Sequence, residues 1–179
     1  MLYSLSFMID EWKMRAGLEP ARIDATITRH DAFDIDAYVE RLVNDWYVKL
    51  LQEGDLKYLD PEDITNLITV SAPDKGVATL TLPEGVFHIV EIMDSKWERP
   101  ARIVTPASRD GRLQESVFSR GGSASPVAVF HNNTTVKLYS YEPGTTPQLE
   151  RVLAVRHVPG EYRLSPLALS LITPSFLNS

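Results

Sequence analysis

The run Val86-Phe87-His88-Ile89-Val90-Glu91-Ile92-Met93 decides how this chain is read. It is short, nearly continuously apolar and rich in β-branched residues, the pattern of a strand buried near the middle of a sheet. On its N-terminal side, Thr65, Thr69, Val70, Val77, Thr79 and Thr81 surround Pro73-Asp74-Lys75-Gly76, which reads as a hairpin and its turn. On its C-terminal side, further strands are expected at Ala101–Thr105, Val127–His131, Thr135–Tyr141 and Val152–Val158. The linking turns are Asn132-Asn133, Glu142-Pro143-Gly144 and Pro159-Gly160. Several short strands with regular turn signals predict an antiparallel β-sandwich or small barrel.

The period changes toward the N-terminus. Leu2, Leu5, Ile9, Trp12 and Ala16 recur at spacings of three and four, one face of an amphipathic helix that Ser4 or Ser6 caps and Gly17 ends. Asp34 or Asp36 caps a second helix, with Ile35, Tyr38, Leu42, Trp46 and Leu50 as its stripe, widened by Val39, Val43 and Tyr47 and stopped by Gly54. That stripe is wider than a solvent-facing helix needs. At the other end, Leu164 to Ser179 is apolar and contains Pro166 and Pro174, with a short helix possible around Leu167, Leu169, Leu171 and Ile172. Such a tail docks on a neighbour or folds back onto the core. The expected fold class is therefore α+β: a helical part over residues 1–63, a β-domain over 64–163 and an extended apolar C-terminal docking tail over 164–179.

The 179 residues suffice for a core without staples, and no cysteine is present to supply a disulfide, a thiolate ligand or a thiol nucleophile. The first residues lack the basic region of a secretory signal and reach Asp10-Glu11 quickly, and no apolar run is long enough for a membrane span. A protein without membrane contact, made in a cytoplasm, is expected. The net charge of −6 is uneven: residues 1–63 hold 7 Lys/Arg against 14 Asp/Glu, whereas residues 64–179 hold 11 against 10. Within the latter, residues 96–120 carry a local balance of +3. That asymmetry can orient one surface toward another, but it is not the strongly basic profile of a nucleic-acid binder.

No catalytic set assembles. The four histidines, His30, His88, His131 and His157, show no metal-ligand spacing. His30-Asp31 with Asp34 is the nearest approach to an acid–base or metal cluster, and it lies in a linker before a helix cap. Asp60-Pro61-Glu62-Asp63 reads as a hydrated charge run, because paired carboxylates need burial and a fixed separation to divide acid and base roles. Ser119-Arg120-Gly121-Gly122-Ser123 lacks the Lys-Ser/Thr pair and following helix of a phosphate loop, and no Gly-x-Ser-x-Gly elbow exists. Catalytic, cofactor-binding and metal residues are expected to be none, and the chain is read as not an enzyme.

One ordered set of segments goes further. Leu82-Pro83-Glu84-Gly85 opens the central strand, and Met93-Asp94-Ser95-Lys96-Trp97-Glu98-Arg99-Pro100-Ala101 follows it. Later come Arg120-Gly121-Gly122-Ser123-Ala124-Ser125-Pro126-Val127-Ala128-Val129 and Val136-Lys137-Leu138-Tyr139-Ser140-Tyr141-Glu142-Pro143. This order resembles head–tail connector (adaptor or ring) proteins of podovirus-like tailed phages, with the crAss-like group one candidate, over residues 35–160 or so. The likeness lies in order and composition rather than in an invariant motif.

The resemblance implies a structural virion protein, a homo-oligomeric ring of about a dozen copies beneath the portal, joined through heterologous contacts. It also implies portal and other tail or connector proteins as partners, and a DNA channel through which the genome passes without specific binding. The acidic helical part and the basic segment 96–120 form a matched pair for contacts between copies, and an acidic lining would keep phosphates from sticking. No active-site residue is carried over. The residues expected at interfaces are Leu5, Trp12, Trp46, Trp97, Arg99, Phe176 and Leu177, with Trp97 either an anchor beside Arg99 or a plug in the end of the β-domain. A tail or capsid-decorating protein is a neighbouring structural reading. The alternative from another class is a carbohydrate- or ligand-binding β-sandwich, which requires exposed aromatics on one sheet face; Tyr139 and Tyr141 are the residues that could supply them. An enzyme built on His30, Asp31 and Asp34 ranks last.

Overall fold

The computed structural model describes residues 1–17, 35–142 and 144–172. Its elements in chain order are β1 (Leu2–Ser4), α1 (Leu5–Arg15), α2 (Ile35–Glu53), β2 (Glu62–Asp63), β3 (Thr69–Val70), β4 (Ala78–Thr81) and β5 (Val86–Asp94). They continue with β6 (Arg102–Val104), α3 (Arg109–Leu113), β7 (Val127–Asn132), β8 (Thr135–Leu138), β9 (Leu149–Arg156), β10 (Glu161–Arg163) and α4 (Pro166–Leu169). The fold class is α+β. The chain forms two compact units, Met1–Asp60 with the segment from His157 onward, and Pro61–Arg156. The sequence-based division at 63/64 and 163/164 follows the change of period; the contacts instead return residues 157–172 to the helical unit.

In the helical unit, Ser4 caps α1 by accepting from the Phe7 N–H, and the chain leaves the helix through Gly17, whose φ of +69° is open to glycine without strain. Leu2 is not helical: Leu2–Ser4 pairs antiparallel with Arg163–Glu161, so an exposed strand replaces the first turn of the expected stripe. α1 buries Met8 and Trp12, with Leu5 and Ile9 half-buried. α2 buries Val39, Val43, Trp46, Tyr47, Leu50 and Leu51, while Tyr38 is exposed. The buried stripe is thus centred on the residues expected only to widen it. The rotation brings the Tyr47 ring to 5.1 Å from Tyr162 and 5.8 Å from His157, and the Tyr47 hydroxyl accepts from the Arg163 N–H at 3.0 Å. Tyr162 donates to Asn44 Oδ1 at 2.5 Å. Leu164, Ala168 and Ile172 are buried and α4 begins at Pro166, so the described part of the C-terminal segment folds back within this unit.

The second unit has two sheets. One has the order β2-β9-β5, the other β3-β4-β8-β7-β6. Residues of both, among them Leu80, Ile92, Val136, Leu138 and Val152, share one apolar core. This is the open sandwich of the two expected forms; no barrel closes among the described residues. β5 covers the expected strand Val86–Met93, and the turn at Pro73–Gly76 joins β3 to β4 as expected, closed by Asp74 and Val77. Three features depart from expectation. β8 ends at Leu138, so Tyr139–Tyr141 leave the ladder. Residues 62 and 63 form β2 on β9: Glu62 pairs with Arg156 instead of lying in water, whereas Asp63 stays exposed and accepts from the Thr65 N–H at 2.9 Å. Those Thr65 hydrogen bonds hold the Asp63 carboxyl below the ordinary carboxylate range. Finally, β6 and β7 are parallel neighbours in a unit read as antiparallel.

Candidate interaction surface

Parallel neighbours cannot be joined by a tight turn, so residues 105–126 make a crossover between β6 and β7. The crossover has its own hydrogen-bonded frame. Ser108 Oγ donates to the Thr105 carbonyl at 2.6 Å and accepts from the Gly111 N–H at 3.0 Å, capping α3. A Cβ at Gly111 would lie 2.2 Å from the Thr105 oxygen, so the loop closes only with glycine there. Gln114, almost fully buried, donates through Nε2 to the Asp110 carbonyl at 3.2 Å and accepts from the Gly121 N–H at 3.0 Å. Arg120 donates from Nε to the Gln114 carbonyl at 2.8 Å and from Nη1 to the Lys75 carbonyl at 2.6 Å, with its guanidinium 5.3 Å from the Tyr139 ring centroid. Arg102 and Asp110 pair at 2.8 Å across the start of the excursion. Polar side chains therefore brace the loop from inside.

What this frame presents outward is apolar. Phe118 is fully exposed at 102 %, Val117 is 67 % exposed and Leu113 is 41 % exposed. The two residues at the tip lie in the turn Val117–Ser119, where Ser119 Oγ donates back to the Leu113 carbonyl at 2.5 Å. Arg109 and Arg112 are exposed and make no ion pair or hydrogen bond through their side chains among the described residues. Burying a Phe ring against a partner is worth about 1.5–3 kcal/mol. Because the loop is already ordered, little of that gain is lost to ordering it.

Beside the tip lies a hollow of about 650 Å³ lined by Val117, Trp97, Tyr139, Tyr141, Lys75, Lys96, Arg120 and neighbouring residues. Burial pushes the Tyr139 phenol up, the Glu115 charge adds to this and Arg120 opposes it. Tyr141 is pushed up further, first by burial and then by its hydrogen bond to Asp94. Both phenols stay neutral near pH 7. Tyr139, Tyr141 and Trp97 are each at most 7 % exposed, so they offer no stacking platform for a sugar ring. No group of three or more His, Cys, Asp or Glu residues is placed to hold a metal ion among the described residues. No described helix is long and apolar enough to cross a membrane.

The residues expected at interfaces are scattered. Trp12 and Trp46 are buried and Leu5 half-buried in the helical unit. Trp97 is buried in the sheet unit with its ring 5.4 Å from Tyr141, and Arg99 is exposed. Phe176 and Leu177, like His30, Asp31 and Asp34, lie outside the described residues. The tip residues Leu113, Val117 and Phe118 were not expected. Their signal was faint: an apolar pair inside a polar, arginine-flanked stretch between two strands. No protein-family model matches the sequence, and no curated protein aligns with it significantly.

Proposed function

We propose that this chain is a non-enzymatic structural protein of a tailed bacteriophage virion, a head-to-tail connector or adaptor ring subunit that bridges portal and tail around the DNA channel. The observation that carries the reading is the fully exposed Phe118 on a crossover braced by Ser108, Gln114 and Arg120. A loop braced by polar side chains, of which Gln114 is buried, yet carrying an unpaired exposed aromatic and the free arginines Arg109 and Arg112, has the composition of a protein-contact hot spot. The order of segments from Leu82 to Pro143, which resembles connector proteins, supplies the identity of the assembly. On this reading the protein is assembled in the bacterial cytoplasm as a homo-oligomer of about a dozen copies, meets portal and tail proteins, and needs no cofactor.

The hollow beside the tip is the one observation that favours a ligand-binding module instead, and the buried state of its aromatics weakens the carbohydrate version. Light scattering of the purified chain, alone and mixed with the portal protein of the same phage, tests the proposal. A ring-sized mass or a co-eluting complex is expected. A persistent monomer that ignores portal overturns the connector reading and puts the ligand-binding module first.

A further inference from the structure

We infer that the tip of the crossover docks on the outer face of α1 in a second copy of this chain. The inference rests on the ring-subunit reading and names the contact that joins its subunits. α1 carries Phe7, Asp10 and Met14 at spacings of three and four, so they share one face, and all three are exposed. Phe7 is held in place by stacking on Tyr3, with ring centroids 5.0 Å apart. The other charges of the helix are satisfied within the unit: Glu11 pairs with Arg15, and Lys13 with Asp36. Asp10 makes no ion pair among the described residues, so this face presents two large apolar side chains around one free carboxylate.

The crossover tip is its complement in both respects. Three exposed apolar side chains, Leu113, Val117 and Phe118, and two free cations, Arg109 and Arg112, belong to this one crossover. A flexible thioether such as that of Met14 adapts to an incoming ring and gains a sulfur–aromatic contact. Asp10 offers the cations an acceptor, and the wider field has the same sign relation, −7 over residues 1–63 against +3 over residues 96–120. A homotypic pairing of tips would set Arg109 and Arg112 against their own copies, and pairing of α1 faces would oppose two Asp10 carboxylates. The favoured contact is therefore heterologous, tip to helix, which propagates from copy to copy and closes into a ring or runs on as a filament.

The test uses the full-length chain with a photoreactive benzoylphenylalanine in place of Phe118, mixed as isotopically light and heavy protein and irradiated after assembly. Crosslinks from residue 118 into the segment Leu5–Arg15 of a copy carrying the other label are expected. Crosslinks to a different segment, within the same copy, or only to added portal protein overturn the inference. Sedimentation gives a second reading. The double change Arg109→Glu, Arg112→Glu is expected to weaken self-association about tenfold or more, and adding Asp10→Arg to restore most of it. No change in the first variant, no recovery in the second, or a wild-type chain that stays monomeric overturns the contact. A dimer or filament with the crosslink in place keeps the contact and removes the ring reading. A ring crosslinked elsewhere does the reverse.

Discussion

Trp97 and Phe118 lie in the same unit, each two residues ahead of an arginine, and they have opposite fates. Trp97 is buried against Tyr141; Phe118 is fully exposed. The difference comes from what surrounds each ring. Trp97 follows the end of β5 in a turn closed by its own N–H to the Asp94 carbonyl at 3.0 Å. Asp94, itself fully buried, accepts from the Lys96 N–H at 3.0 Å, the Gln148 N–H at 2.7 Å and the Tyr141 hydroxyl at 2.8 Å. That carboxylate draws the turn and Tyr141 together, and Trp97 fills the space they leave. Around Phe118 the polar groups work in the other direction: Ser119 and Arg120 bond back into the loop and lift the aromatic clear of it. An aromatic beside an arginine is thus ambiguous until the acceptor that holds the arginine is known. Arg99 is exposed and its Trp is buried; Arg120 is pinned and its Phe is free.

The sharpest way to break this comparison is to truncate both rings. Trp97→Ala should lower unfolding stability by about 3–5 kcal/mol in urea titrations, as expected for a large buried aromatic. Phe118→Ala should change it by no more than about 0.5 kcal/mol, as for a surface side chain. Equal losses would mean that Phe118 packs somewhere after all. Trp97→Phe should cost less than the alanine change. It keeps a ring against Tyr141 and removes an indole N–H that is buried without a hydrogen-bond partner among the described residues.

Next in size is Asp94→Asn. The shape is kept, but one of two accepting oxygens becomes an NH₂ facing groups that already donate. A loss of about 2–3 kcal/mol is expected, with Trp97 fluorescence shifting to the red as the turn loosens. Stability within about 0.5 kcal/mol of wild type would show that the carboxylate is not what holds the two aromatics.

Gly111→Ala acts on the other member of the pair. Its new methyl group would meet the Thr105 carbonyl, so the cap of α3 must open at a cost of about 1–3 kcal/mol. Hydrogen exchange should show amides between Ser108 and Gly121 losing protection while those of β5 and β9 keep theirs. Unchanged exchange in the crossover would contradict a preformed tip.

The smallest expected effect lies in the helical unit and is a pH dependence. The Tyr162 phenol is pushed up to about 12 from 10.0, chiefly by burial, with the charge of Glu40 and its neighbour Tyr47 adding to it. A raised pKa means that the folded state favours the neutral phenol. The contribution is complete below pH 10 and falls away as pH rises toward 12. Tyr162→Phe should flatten that part of the stability profile; an unchanged alkaline slope would assign it to other groups.

Much of the fold was legible because local pattern and burial agreed. The run Val86–Met93, the Pro73–Gly76 turn, the Ser4 cap and the Gly17 stop each report on their own neighbours in sequence, and each stands where expected. The position of α2's buried face was less legible, since its apolar arc was wide enough for two centres and Tyr162, more than a hundred residues away, selected one. Glu62 read as solvated charge because its partner, Arg156, lies 94 residues further along the chain. The candidate surface was least legible of all. Exposure of Phe118 follows from a parallel strand pair, and no local signal specifies whether two strands joined by a long connection pair parallel or antiparallel.

The sequence by itself determined the α+β class, the two long helices ahead of the main sheet strands, the uneven charge, and a chain without thiols. These depend on composition and short-range periodicity, which tertiary contacts rarely overrule. Only the tertiary structure decided that residues 157–172 return to the helices, that Trp97 is core, and that Phe118 is surface. The last two outcomes depend on pairings between groups distant in sequence. Asp94 needs donors from residues 141 and 148, and Arg120 needs the carbonyl of Lys75. For the fully buried Asp94 the pairing is fixed by the cost of leaving a buried polar group unmet, a cost that arises only once the chain has folded around it.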